Sequence, residues 1–146
     1  MDAIVVMSYW DQDLFDVASF ANDFSTLSAV AHRIYVVETI PWDPAYDPLE
    51  RAKEFFSSGL IDRSGALRES FQDRMQEITP ILQQGILQSG TKAQLLSPQN
   101  YLCKEDHCIY YHDGRLLYFN PTHLTIAGSK YLKPMFISAL QSVSDQ

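Results

Sequence analysis

The chain opens on a short continuous apolar run, Ala3-Ile4-Val5-Val6-Met7, rich in β-branched residues. That is the pattern of a strand covered on both faces. From Asp11 to His32, apolar positions recur at Leu14, Val17, Ala18, Ala21, Phe24, Leu27 and Ala31. This is the spacing of one helix face, and acidic residues fall in the first turn, where the helix dipole favours them. Ile34-Tyr35-Val36-Val37 is a second apolar run of strand length. Strand, helix and strand in that order form a βαβ unit, which predicts a parallel sheet.

The pattern then breaks. Thr39 to Pro48 holds Pro41, Pro44 and Pro48 together with Asp43 and Asp47, and reads as an irregular loop. It follows the C-terminal end of a strand, where open α/β sheets place their binding sites. Leu49 to Phe56 fits a short helix. Ser64 to about Leu87 reads as mostly helical, with Leu67, Phe71, Met75, Ile78, Ile81 and Leu82 on one side and Pro80 expected to kink or divide it. Gly90 has the position of a helix C-cap. Ala93 to Leu96 is a third strand candidate. Ile109–His112 and Arg115–Phe119 flank Asp113-Gly114, the two-residue signal for a tight hairpin. The last helix is expected from about Thr125 to Val143, with Pro134 as its weak point.

Composition narrows the function classes. The length of 146 residues suits one domain, and 46% hydrophobic with 20% charged residues is ordinary for a globular protein. A formal net charge of -7, with eleven scattered Lys and Arg, argues against nucleic acid as a partner. No apolar run reaches the ~18 residues that span a bilayer, so no membrane insertion by this chain is expected. The first residues lack the basic region and apolar length of a signal peptide, which by itself points to the cytosol. Cys103 and Cys108 pull the other way. A metal site would need more ligands of that kind, although His107 and His112 lie close, and a disulfide in an oxidising compartment is the better reading.

The last third carries the most specific pattern. Leu102-Cys103, Cys108, Asp113-Gly114, and then Leu117-Tyr118-Phe119-Asn120-Pro121-Thr122-His123-Leu124-Thr125-Ile126-Ala127-Gly128 follow one another in order. This set resembles the closing segment of the SGNH esterase domains attached to membrane acyltransferase-3 proteins. In that family a cysteine pair precedes an Asp-Gly turn and a Leu-Tyr strand; an acid then stands three residues before a histidine, ahead of Leu-Ser/Thr and a small-residue helix start. The strand ending in Ser8-Tyr9-Trp10 is similar to an internal block of the same domains. The resemblance implies that His123 is the catalytic base and that Asn120 occupies the position of its orienting acid. A general-base histidine needs one ring nitrogen free for a serine hydroxyl while its partner holds the other. An amide can hold the ring but cannot stabilise the imidazolium by charge, and in a serine protease the acid-to-amide change costs ~10⁴ in rate.

The family's nucleophile, a serine in a Gly-Asp-Ser-like turn, has no counterpart in these residues. Ser8 stands at a strand end, where a nucleophile could be presented, but a turn or helix-start serine is the preferred reading. His107 and His112 are expected as solvated hairpin or loop residues, Trp10 and Trp42 as packing residues (Trp42 with the option of lining a cleft), and Tyr110, Tyr111 and Tyr118 as cover for a core. Asp43 and Asp47 read as turn residues rather than a cation site.

The expectation is a single α/β domain, a flavodoxin-like three-layer sandwich of the SGNH type, incomplete at its N-terminus. Its function is expected in O-acyl transfer to or from a carbohydrate hydroxyl, without cofactor or metal, beside a membrane acyltransferase-3 partner and on the extracytoplasmic side. The isolated chain is expected to be inactive. The alternative is a non-catalytic α/β module that binds a carbohydrate or a protein. His123 is expected beside the proline-rich loop, with Asn120 close to its ring.

Overall fold

The computed structural model describes residues 3–8, 10, 16–59 and 66–141. The elements in chain order begin with β1 (Ile4–Met7), α1 (Val17–Ser28), β2 (Ile34–Val37), α2 (Pro48–Ser58), β3 (Ala66–Leu67) and α3 (Arg68–Ser89). They continue with β4 (Gln94–Leu96), α4 (Gln99–Leu102), β5 (Cys103–Lys104), β6 (His107–Cys108), β7 (Tyr111–His112) and β8 (Arg115–Leu116). The last are β9 (Tyr118–Asn120), β10 (His123–Leu124), α5 (Ile126–Tyr131) and α6 (Lys133–Gln141). The chain is an α/β protein, and it divides into two compact units. One comprises 1–39 and 72–97, the other 40–71 and 98–146.

The first unit is built on the expected parallel sheet. β1 pairs with β2 from Ile4↔Ile34 to Met7↔Val37, and β2 pairs with β4 from Tyr35↔Gln94 to Val37↔Leu96, giving the order β1-β2-β4. α1 starts where Asp16 caps it: the carboxylate accepts from the backbone N–H of Ser19 at 2.9 Å. The expected helix residues 11–15 lie outside the described residues. α1 buries Phe20 and Phe24, whose rings stack on each other, and the Phe20 ring also meets Trp10. Gly85 of α3 lies against Phe20, so close that a Cβ there would stand 2.6 Å from the Phe20 Cβ. Gly90 ends α3 with a φ of +65°, as its C-cap position predicts.

β2 is buried along its whole length, but β1 is not the doubly covered strand that its apolar run predicts. Val5 and Met7, on one face, are 51% and 55% exposed. Among the described residues, β1 pairs on one edge only. A continuous apolar run marks a doubly covered strand only where layers lie on both faces.

α3 also departs from expectation. It runs unbroken through Pro80, which leaves the helix one hydrogen bond short without dividing it. It starts at Arg68 rather than at Ser64, which lies outside the described residues, because Ala66 and Leu67 pair antiparallel with Cys108 and His107.

The second unit is a series of short hairpins closed by two helices. Asp113 and Gly114 both take positive φ, 47° and 78°, and join β7 to β8 with Tyr111↔Leu116 and His112↔Arg115 in register. This is the tight turn that Asp-Gly predicts. The Cys103–Cys108 disulfide is formed, with a Cα separation of 3.8 Å. The two cysteines are direct cross-strand partners in a β5–β6 hairpin. Its turn begins at Glu105, which takes a φ of 54°, a conformation that no glycine announces in the sequence. The last helix breaks at Leu132 into α5 and α6, with Pro134 in the first turn of α6, where its missing N–H is tolerated. The core of this unit gathers Ile40, Tyr46, Leu102, Tyr110, Leu117, Tyr118 and Leu132.

Candidate functional site

The Asn-Pro-Thr-His segment forms the turn between β9 and β10. Asn120 and His123 are opposite partners of that antiparallel pair, and Pro121 and Thr122 make the connection. Asn and Pro suit the first two positions of such a turn: proline presets its φ, and the asparagine side chain bonds the backbone two residues on. Oδ1 of Asn120 accepts from the backbone N–H of Thr122 at 3.0 Å. The same oxygen lies 2.9 Å from Nδ1 of His123, and the Thr122 hydroxyl lies 3.1 Å from that nitrogen.

This geometry fixes the protonation of the neutral imidazole. The Thr122 amide can only donate, so the Asn120 atom facing it must be the carbonyl oxygen. That oxygen can only accept, so Nδ1 of His123 carries the hydrogen and Nε2 keeps its lone pair. The side chain of His123 is exposed. The arrangement therefore offers a basic nitrogen to a hydroxyl that approaches from outside.

Both sides of the turn are anchored. Thr125 caps α5: its hydroxyl accepts from the Gly128 N–H at 3.1 Å and donates to the Leu116 carbonyl at 2.8 Å, while its own N–H donates to the Leu117 carbonyl at 2.8 Å. Gly128 is seated where any side chain would collide with the Leu117 carbonyl. On the other side, the Tyr46 hydroxyl donates to the backbone carbonyl of Tyr118 at 3.1 Å. The proline-rich loop is thereby tied to β9, the strand that carries Asn120. Tyr46, Tyr110 and Tyr118 pack ring against ring, with centroids 4.5 Å to 5.9 Å apart. Burial pushes the Tyr118 hydroxyl far above the usual tyrosine range and that of Tyr46 up as well.

The remaining candidates separate from this pair. Asp43 accepts from the Ala45 N–H and Asp47 from the Leu49 N–H, so both act as turn and helix-cap residues. His107 pairs with Asp106 at 2.7 Å, which holds that carboxyl below its usual range, and His112 pairs with Asp113 at 3.2 Å. Among the described residues, no group of three His, Cys, Asp or Glu side chains is placed to hold a metal. Tyr110 and Tyr118 are core residues, Trp42 is half-buried, and Ser8 is exposed beyond the end of β1.

Sequence reasoning missed Thr122, Tyr46 and Glu38. Glu38, 8% exposed at the C-terminal end of β2, accepts from the Thr79 hydroxyl at 2.8 Å. Beside it, Trp10 donates from its indole to the Val37 carbonyl at 2.7 Å and from its backbone to the Thr39 hydroxyl at 3.2 Å. An acid at the end of a buried strand was the available signal.

The family model of the SGNH domain (fused to AT3 domains) matches residues 1–138. The chain belongs to that family. This SGNH domain is thereby associated with acyltransferase and esterase systems. No curated protein and no solved structure matches it. Among the described residues, no helix is long and apolar enough to cross a membrane.

Proposed function

We propose that this SGNH domain serves an O-acyl-transfer or esterase system that acts at a carbohydrate hydroxyl, with His123 as general base and Asn120 as the residue that holds its ring. The observation that carries the reading is the Asn120–His123 contact of 2.9 Å, oriented by the Thr122 amide. It leaves Nε2 free to take a proton, which is what activation of a hydroxyl requires. The parallel βαβ unit supports a flavodoxin-like sandwich of the SGNH type. The disulfide supports an extracytoplasmic setting, where such bonds persist, and the family supports a membrane AT3 domain as partner.

These 146 residues on their own have no appreciable activity in this reading. They contain no Gly-Asp-Ser turn, and Asn120 cannot stabilise an imidazolium by charge. The uncharged amide also favours a second reading, a non-catalytic module that binds a carbohydrate or a protein. The purified chain and a His123→Ala variant should hydrolyse p-nitrophenyl acetate at the same background rate. Turnover that disappears in the variant would show that the chain is an esterase by itself. When the chain is assembled with its membrane partner, His123→Ala should abolish transfer of a labelled acyl group to saccharide. Unchanged transfer would favour the binding module.

A further inference from the structure

A second site lies in the same unit as His123 but is lined by different residues. An open cavity of about 640 Å³ is bordered by Tyr101, His112, Asp113, Arg115, Lys130 and Tyr131, together with three apolar residues. That volume falls within the range of small-molecule sites. Its chemistry departs from the rest of the chain. The sequence carries a net charge of -7, yet two cations, Arg115 and Lys130, line this one cavity. The single carboxylate there, Asp113, stands 3.2 Å from Nε2 of His112. Among the described residues, neither Arg115 nor Lys130 is held by an acidic partner.

The rings of the cavity are fixed in advance. Tyr101 and Tyr131 are half-buried and pack against the core of the unit, and the His112 imidazole meets the Tyr131 ring edge-on with centroids 4.7 Å apart. His112 and Arg115 are the closing pair of the Asp113-Gly114 hairpin, so the turn places the two residues side by side. Rigid amphipathic rings beside unpaired cations suit a ligand with an apolar face and a negative charge. A sugar ring presents C–H groups on its faces and can lie on tyrosine, while a carboxylate on the ring matches the fork of an arginine.

We propose that this cavity binds an anionic sugar, a hexuronate unit of a saccharide, with its carboxylate on Arg115 and Lys130 and its ring against Tyr101 and Tyr131. A sugar phosphate offers the same combination of ring and anion, and the test separates the two. The inference goes beyond the acyl-transfer reading, because binding is measured without turnover and its failure leaves the Asn120–His123 pair untouched.

Backbone amide NMR titrations of the full chain with a uronate disaccharide, glucose 6-phosphate and maltose decide it. The uronate should shift the amides of Tyr101, Arg115, Lys130 and Tyr131 saturably, more tightly than either other sugar, and less so as salt is raised. The double variant Arg115→Gln/Lys130→Gln changes two exposed side chains. It should weaken uronate binding by about tenfold or more, the scale of lost charged hydrogen bonds. Arg33→Gln/Lys92→Gln, an equal charge change at two exposed residues of the other unit, should leave binding unchanged. Maltose or the sugar phosphate binding as tightly as the uronate would overturn the assignment. So would a double variant that binds normally, or the absence of any saturable shift.

Discussion

The amide oxygen of Asn120 stands 2.9 Å from Nδ1 of His123, and the backbone N–H of Thr122 fixes which atom of the amide it is. The tautomer of the histidine is thus decided by a main-chain donor two residues from Asn120. Ring ¹⁵N shifts of neutral His123 should show a protonated Nδ1 and a bare Nε2. In Asn120→Ala the preference should move toward the Nε2–H form that free imidazole side chains favour. The variant should also lose about 1 kcal/mol in urea unfolding, the scale of a net hydrogen bond. An Nε2–H histidine in the unmodified chain would refute the geometry.

Gly128 meets the Leu117 carbonyl so closely that even a methyl group cannot be seated there. Gly128→Ala should push α5 away from the Leu117 backbone between β8 and β9 and cost about 1–3 kcal/mol, the range of overpacking, although alanine is the better helix former. Urea melts of the two proteins measure it. A neutral or stabilised variant would contradict the close approach.

The hydroxyl of Tyr118 is buried, with the residue 1% exposed, and has no hydrogen-bond partner among the described residues. Leaving such a group dry costs about 1–3 kcal/mol. Tyr118→Phe removes the oxygen and keeps the ring packed against Tyr46 and Tyr110, so its melting temperature should equal or exceed that of the unmodified chain. A clear loss of stability would mean that the hydroxyl does find a partner.

The same burial makes a prediction about alkaline pH. Desolvation raises the folded-state pKa of Tyr118 and Tyr46 above the unfolded value of about 10. The fold therefore favours the neutral phenols. Their contribution is fully present below about pH 10 and is lost as pH rises beyond it. Phenolate absorbance should rise early for exposed tyrosines and again, cooperatively, as this unit unfolds. A single smooth titration with no unfolding step would rule this out.

Cys103 and Cys108 close a loop so short that the chain-entropy model assigns the bond about 2 kcal/mol. The variant Cys103→Ala/Cys108→Ala should stay folded, with an unfolding midpoint lowered by that order. The intact protein should have a mass lower than the dithiol form by its two thiol hydrogens. A variant that fails to fold would give the bond a larger role than local shaping of the β5–β6 hairpin.

The sequence by itself determined the elements whose cause is local. The β-branched runs at Ile4–Met7 and Ile34–Val37, with a helical stripe between them, became a parallel pair, because side-chain period and crossover length leave little choice. Asp113-Gly114 became a tight turn because glycine tolerates positive φ, and Pro134 marked the break between α5 and α6 because proline has no N–H to continue α5 and suits the first turn of a new helix. Asn120 and His123 were legible as a pair because residues at the two ends of a tight turn face each other.

Only the tertiary structure decided the rest. Val5 and Met7 belong to an apolar run, and what lies over that face of β1 cannot be read from the run itself. Pro80 leaves α3 unbroken, since one missing hydrogen bond does not outweigh a helix of 22 residues anchored by Phe71, Met75, Ile78 and Leu82. Ala66 and Leu67 became a strand rather than a helix start because β6, about forty residues on, offered them a free edge. Tyr46 joined β9 by a hydrogen bond spanning 72 residues, and Arg115 and Lys130 met at one cavity through the packing of a hairpin on a helix. Such contacts depend on which surfaces remain unpaired once local structure has formed, and neither periodicity nor turn chemistry carries that information.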